Sequence, residues 1–127
     1  MAYASSVSVT HIGGRDFKVT VSESDCGATD ETIISGLPIK GLILSQTVSL
    51  ISGTGTTVDP VIGTATNPGA LAVTTVASND TAAAQVSNLA LPPIPFITTD
   101  GKLYMRSQPD AGADNVIQTA YAIKAGW

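Results

Sequence analysis

A chain of 127 residues holds one domain comfortably and two with difficulty, and at that length it can bury about two-thirds of its unfolded surface without a metal or a disulfide. Charged residues are 13% of the total, against about 25% in an ordinary soluble domain, so Ser, Thr, Asn and Gln must carry most of the polar surface. The net charge of −4 argues against a grip on nucleic-acid phosphates, and the single cysteine excludes an intrachain disulfide framework.

The chain opens on strict alternation. Val7 and Val9 point one way, Ser6, Ser8 and Thr10 the other, the period-two mark of a half-buried strand. Gly13-Gly14 supplies a turn able to take positive φ. A second alternating run then sets Phe17, Val19 and Val21 against Lys18, Thr20 and Ser22, which predicts a β-hairpin. Residues 23–38 read as a loop, with one short helical turn from Asp30 to Gly36 as the alternative; Thr32, Ile33 and Ile34 are poor helix formers, and Pro38 forbids continuation.

From Ile39 to Ile51 the pattern predicts the clearest strand, with Leu42, Leu44, Val48 and Leu50 on one face and Ile43 and Ile51 on the other among serines and threonine. Two partly apolar faces place this strand centrally, covered on both sides or at a subunit contact. The tract Gly53–Thr57 is turn-rich, and Asp59-Pro60 and Asn67-Pro68 punctuate the segment after it. A strand is expected from Leu71 to Val76, and Ala82–Ala84 fits one helical turn or an edge strand equally.

Pro92, Pro93 and Pro95 within Leu91–Phe96 remove three ladder donors, so this stretch cannot be a central strand. It reads as an extended polyproline-like arm, either a connector between sheets or a contact arm to a neighbouring subunit. Asp100-Gly101 between short apolar runs predicts another hairpin. The last strand, Asn115 to Lys124, sets Val116, Ala120 and Ala122 against Ile117, Thr119, Tyr121 and Ile123. Together these elements predict an all-β fold over residues 1–127, a single β-sandwich or partly closed barrel of short antiparallel strands with extended arms.

No pattern of residues in the sequence carries chemistry. His11 is the only histidine, which leaves no pair for a metal site, and it sits inside the first strand. Cys26 stands beside acids that raise a thiol pKa, the wrong direction for a nucleophile. Asp25, Asp30 and Glu31, and separately Asp110 and Asp114, suit turns and solubility better than a calcium loop, whose spacing they lack. Gly53–Thr57 has no lysine to act as a phosphate loop. Lys40, Lys102, Arg106 and Lys124 are scattered rather than clustered with aromatics, as a nucleic-acid platform would want. No catalytic residue, cofactor or metal site is expected. The start MAYASSVSVT lacks the pattern of a secretion signal, and no apolar run approaches the ~20 residues that span a bilayer, so synthesis and folding in a cytoplasm are expected, without a membrane partner.

The stretch from Thr99-Asp100-Gly101-Lys102-Leu103-Tyr104 through Pro109-Asp110-Ala111-Gly112-Ala113-Asp114-Asn115 to Ile123-Lys124-Ala125-Gly126-Trp127 resembles small virion structural proteins of tailed bacteriophages. The resemblance lies in a D-G-x-L-Y hairpin, a D-A-G turn and a short closing strand. It implies a non-enzymatic capsid decoration (cement) protein on the capsid surface, bound to the major capsid protein and to itself as a homo-oligomer, a trimer in such proteins. A small tail or head–tail adaptor component is the nearer alternative. A carbohydrate-binding β-module is the more distant one, and it wants exposed aromatics that one Trp and three Tyr scarcely supply. The candidate subunit-contact residues are Leu42, Leu44, Val48 and Leu50 on the two-faced strand, Pro92, Pro93, Ile94, Pro95 and Phe96 in the arm, and Trp127.

Overall fold

The alternation of the first two runs is realised as a hairpin, β1 (Ala4–Gly13) and β2 (Asp16–Ser24), in which Val7 pairs with Val21 and Val9 with Val19. Gly13 and Gly14 close it at φ 124° and 54°, where glycine carries no Cβ penalty. The computed structural model describes residues 3–27, 29–52, 58, 60–64, 85–109 and 115–126, and for 50–52 and 85–92 the backbone alone.

Six further strands follow: β3 (Thr32–Ile34), β4 (Lys40–Ser52), β5 (Val61–Gly63), β6 (Gln85–Ile97), β7 (Leu103–Arg106) and β8 (Val116–Ala125). They form two antiparallel sheets, one of five strands in the order β1-β2-β8-β4-β6 and one of three in the order β3-β7-β5. The sheets are not closed into a barrel. Their facing sides share one core, built from Val19, Val21, Ile43, Phe96, Tyr121 and Ile123 of the larger sheet and Ile34, Ile62, Leu103 and Met105 of the smaller. Each such side chain contributes about 1.5–3 kcal/mol through burial. A second cluster, Cys26, Val48, Val58 and Ile117, with Tyr3 against it, fills one end. This is a β-sandwich.

Four expectations change. Residues 23–38 are not all loop: β2 runs on through Ser24, and Thr32–Ile34 is a strand rather than a helical turn. The 91–96 stretch is not a free arm. It is the end of β6, an outer strand paired with β4 through Leu42↔Pro95 and Gly41↔Phe96, and three absent donors are compatible with that position. Asp100-Gly101 closes no hairpin, because β6 and β7 lie in different sheets. The turn instead carries the chain from one sheet to the other, tied down where Leu37 N–H donates to Gly101 O at 3.1 Å.

The fourth change concerns the faces of β4. Against β8 the register steps from Ile43↔Ile123 to Ser45↔Ala122, so Leu44 is the extra residue of a bulge, while against β6 it steps from Ile43↔Ile94 to Ser45↔Leu89 and passes over residues 90–93 of β6. Beyond it the parity reverses: Ile43, Gln46 and Val48 turn to the core, while Leu42, Leu44, Ser45 and Thr47 are half-buried on the other side. In β8, where no bulge intervenes on the β2 side, the expected faces hold, with Ile117, Thr119, Tyr121 and Ile123 all buried.

Candidate contact surface

The outer face of the larger sheet is built by the residues that the core does not take. At its centre, Thr20 of β2, Ala120 of β8 and Thr47 of β4 lie side by side, followed by the row Ser22, Gln118 and Ser49. Toward the other end stand Lys18, Ala122 and Ser45, then Asp16, Lys124, Leu42 and Pro95. Pro93, Pro95 and Ile97 are exposed, Ile97 to 60%. The face is therefore short-chained and uncharged across its middle, with a few charges and an apolar Leu42–Pro95–Ile97 corner at one end. Hydroxyl and methyl groups cost far less to cover than ammonium or carboxylate groups do. A shallow depression lined by Ala4, Ser6, Ser22, Ser24 and Val116 marks the opposite end.

The predicted contact residues divide accordingly. Leu42 and Leu44 are half-buried on this face, and Pro93 and Pro95 are exposed on it. Ile94 is half-buried and packs on the core. Val48 and Phe96, exposed to 1% and 2%, belong to the interior and offer no surface to a neighbour. The bulge at Leu44 turned the first inward; the second alternates with Pro95 and Ile97 and so faces the opposite sheet. The side chains of Leu50 and Pro92, and Trp127, lie outside the described residues.

Sequence reasoning missed a polar cluster inside the sandwich. Glu23, exposed to 2%, accepts a hydrogen bond from the Tyr3 hydroxyl at 2.7 Å and from Thr32 Oγ1 at 3.3 Å on Oε2, and from the Ser107 hydroxyl on Oε1. The Cys26 thiol approaches the same Oε2 at 3.5 Å. Parity was the available signal. Glu23 continues the inward series Phe17, Val19, Val21, so the strand that buries those residues must bury it too. Asn115 ties the cluster's loop in place: its Oδ1 accepts from Cys26 N–H and its Nδ2 donates to Cys26 O, both at 2.8 Å.

This cluster is structural in its chemistry. Burial first, and the Glu23 and Asp30 charges second, push the Cys26 thiol well above its ordinary pKa, so it is not a poised nucleophile. His11 sits by the other end of β2, exposed, its ring stacked on Phe17 at 4.7 Å and its Nε2 donating to Gly14 O at 2.7 Å. About 20 Å of strand separates the two, since the six residue steps from Phe17 to Glu23 rise about 3.3 Å each. Among the described residues no group of three His, Cys, Asp or Glu side chains could hold a metal ion. Asp30 Oδ2 accepts from Gly27 N–H at 2.7 Å, and Glu31 pairs with Arg106 at 3.6 Å, which accounts for two of the loop acids. Asp110, Asp114 and Gly53–Thr57 lie outside the described residues.

No protein-family model matches this chain. No curated protein matches it either. Among solved structures it is similar to one described as the Cyanophage Pam1 capsid asymmetric unit, at 15% identity and a TM-score of 0.41, over 97% of this chain and 84% of that one.

Proposed function

We propose that this protein is a non-enzymatic structural component of a bacteriophage virion, a decoration protein that binds the lattice of the major capsid protein from outside and stabilises the head. The observation that carries the reading is the outer face of the larger sheet. It presents Ser, Thr and Ala across the middle of three adjacent strands and an apolar corner at Leu42, Pro95 and Ile97. Such a face is laid flat on a protein lattice without stripping charges of water. A sugar-binding module wants a different surface, and of the tyrosines Tyr121 is buried while Tyr3 and Tyr104 are half-buried.

The test is co-sedimentation with undecorated heads of a phage that carries this gene. The wild-type chain is expected to pellet with the heads and to raise the temperature at which they break. Leu42→Asp and Ala122→Lys, both on the outer face, are expected to leave the fold intact and abolish pelleting. A wild-type chain that stays in the supernatant, or one that pellets only with tails, defeats the proposal.

A further inference from the structure

Among the described residues the two outermost strands of the larger sheet are treated in opposite ways. At β6, Thr98 N–H donates to Ile39 O at 2.7 Å, and the register Lys40↔Ile97, Gly41↔Phe96, Leu42↔Pro95 carries that alternation back along the strand. The backbone of Phe96 therefore turns to β4 and position 95 turns away. Position 95 is a proline, so the outward side lacks a donor there.

At the other end, Ala125 N–H donates to Arg15 O at 2.7 Å, which assigns the odd-numbered residues of β2 to β8 and the even-numbered ones to β1. Their partners Ala4, Ser6, Ser8 and Thr10 bond to β2. The N–H and C=O groups of Ser5, Val7, Val9 and His11 consequently point away from the sheet. Residues 3–14 include no proline, lysine, arginine or carboxylate, the side chains that commonly guard an edge, and the register of β1 shifts only at its far end, between His11 and Gly13. The described residues that flank 65–84 are Thr64, which follows β5, and Gln85, which begins β6. Both strands lie at the far side of their sheets from β1 and from β3, the strand of the smaller sheet that touches β1.

We infer that this edge is where a second copy of the chain adds on, β1 against β1, antiparallel about a two-fold axis through Ser8. The pattern of β1 is self-complementary in that register. Val7 falls opposite Val9 of the second copy, Ser5 opposite His11, and Ser6 opposite Thr10, so the outward amides meet and like faces meet. Val7 and Val9 are half-buried and pack on the core, which therefore reaches this edge. The second copy's valines extend that core across the seam, and an uncharged strand brings no like-charge repulsion to it. A copy's other edges fit less well: β6 carries the prolines, and β3 and β5 are three residues long. An isologous contact of this kind closes at two copies. It uses a surface separate from the one proposed for the capsid.

The experiment is light scattering of the purified full chain across the micromolar range, with Val7→Pro alongside. Proline at position 7 removes an outward donor and no bond to β2, so the circular dichroism is expected to match wild type while the mass falls from two chains to one. Amide exchange gives a second readout on the unaltered protein, with Val7 and Val9 amides slowing as concentration rises and those of Ser6 and Ser8 unmoved. A wild-type chain that stays monomeric overturns the inference and leaves the capsid reading standing. A folded Val7→Pro chain that still dimerises, or an oligomer whose Val7 and Val9 amides exchange at the same rate at all concentrations, overturns it as well.

Discussion

The Tyr3 hydroxyl donates to Glu23 Oε2 at 2.7 Å, joining the residue before β1 to the end of β2. That bond is one of several from neutral donors, and the carboxylate they share is the only charged side chain in the buried set among the described residues. Glu23→Ala removes the acceptor that the Tyr3, Thr32 and Ser107 hydroxyls share, leaves Tyr3 and Thr32 only their bond to each other, and opens a void. The expected loss is about 3 kcal/mol or more. Tyr3→Phe removes one half-buried donor and is expected to lose about 1–2 kcal/mol. Urea titrations of the two variants beside wild type decide the matter, and a Glu23→Ala loss under about 1 kcal/mol would show that the cluster does not hold this end together.

Thr119 presents the opposite case. It is 1% exposed, its Oγ1 has no partner among the described residues, and it lies between Val21 and Val48 on the inner face. Thr119→Val keeps the shape and removes the hydroxyl. Replacing an unpartnered buried polar group with a methyl is expected to leave stability unchanged or raise it by up to about 1 kcal/mol, a gain visible as a higher melting temperature. A clear loss would mean that the hydroxyl has a partner.

Alkaline pH acts on three groups in one direction. Burial foremost, and the charge of Glu23 after it, hold the Tyr121 and Cys26 protons above the ordinary values of 10.0 and 9.0; burial foremost does the same for Tyr3. Above those values the unfolded chain releases protons that the folded chain keeps, so the unfolded state binds fewer protons and stability falls as pH rises. The contribution of these groups is complete below pH 9.0 and declines progressively above it. Thermal melts are expected to be insensitive to these groups near neutrality and to drop beyond that point. Tyr121→Phe flattens the part of the decline that begins near pH 10.0, and an unchanged slope in that variant would remove Tyr121 from the account.

These residues also show what the sequence discloses. The faces of β8 were legible because its alternation runs unbroken from Val116 to Ile123, and period two then decides every side chain. In β4 the same rule failed at one residue. The Leu44 bulge reverses parity, so Val48, assigned to the outer set, is in the core. No local signal in LILS distinguishes a bulge from a regular strand, since the extra residue is demanded by the neighbouring strands. Asp100-Gly101 misled for a related reason. A turn motif reports that the chain bends, whereas membership of a sheet is decided by distant partners. Here Gly101 N–H donates to Thr98 Oγ1 at 2.9 Å, and Thr98 Oγ1 in turn donates to Ile39 O at 3.3 Å, binding the turn to the entry of β4. The contact face was partly readable from the scarcity of charge, which predicts surfaces that can be covered. It could not be narrowed to Leu42, Pro93 and Pro95 without knowing that Phe96 alternates inward.

Gly41 tests the packing between β4, β6 and β8 most directly. A Cβ at this position would lie 2.7 Å from Phe96 Cζ and 2.8 Å from Lys124 O, and the second is backbone locked in the sheet. Gly41→Ala therefore forces Phe96 out of its place in the core or bends β8 away from β4, at an expected cost of about 1–3 kcal/mol. Phe96→Leu shortens the side chain that the new methyl strikes but leaves Lys124 O where it is, so the double variant recovers part of the loss and not all of it. The pair should accordingly be less destabilised than the sum of the single changes, by more than the few tenths of a kcal/mol seen for independent sites. Gly36→Ala is the control for backbone strain alone, because Gly36 stands at φ +77° with nothing within 4 Å of its Cβ, and Phe96→Leu is expected to be additive with it. Denaturant melts of the five variants yield both coupling terms. Additivity at Gly41 would place the steric conflict entirely on the β8 backbone and leave Phe96 free to move aside.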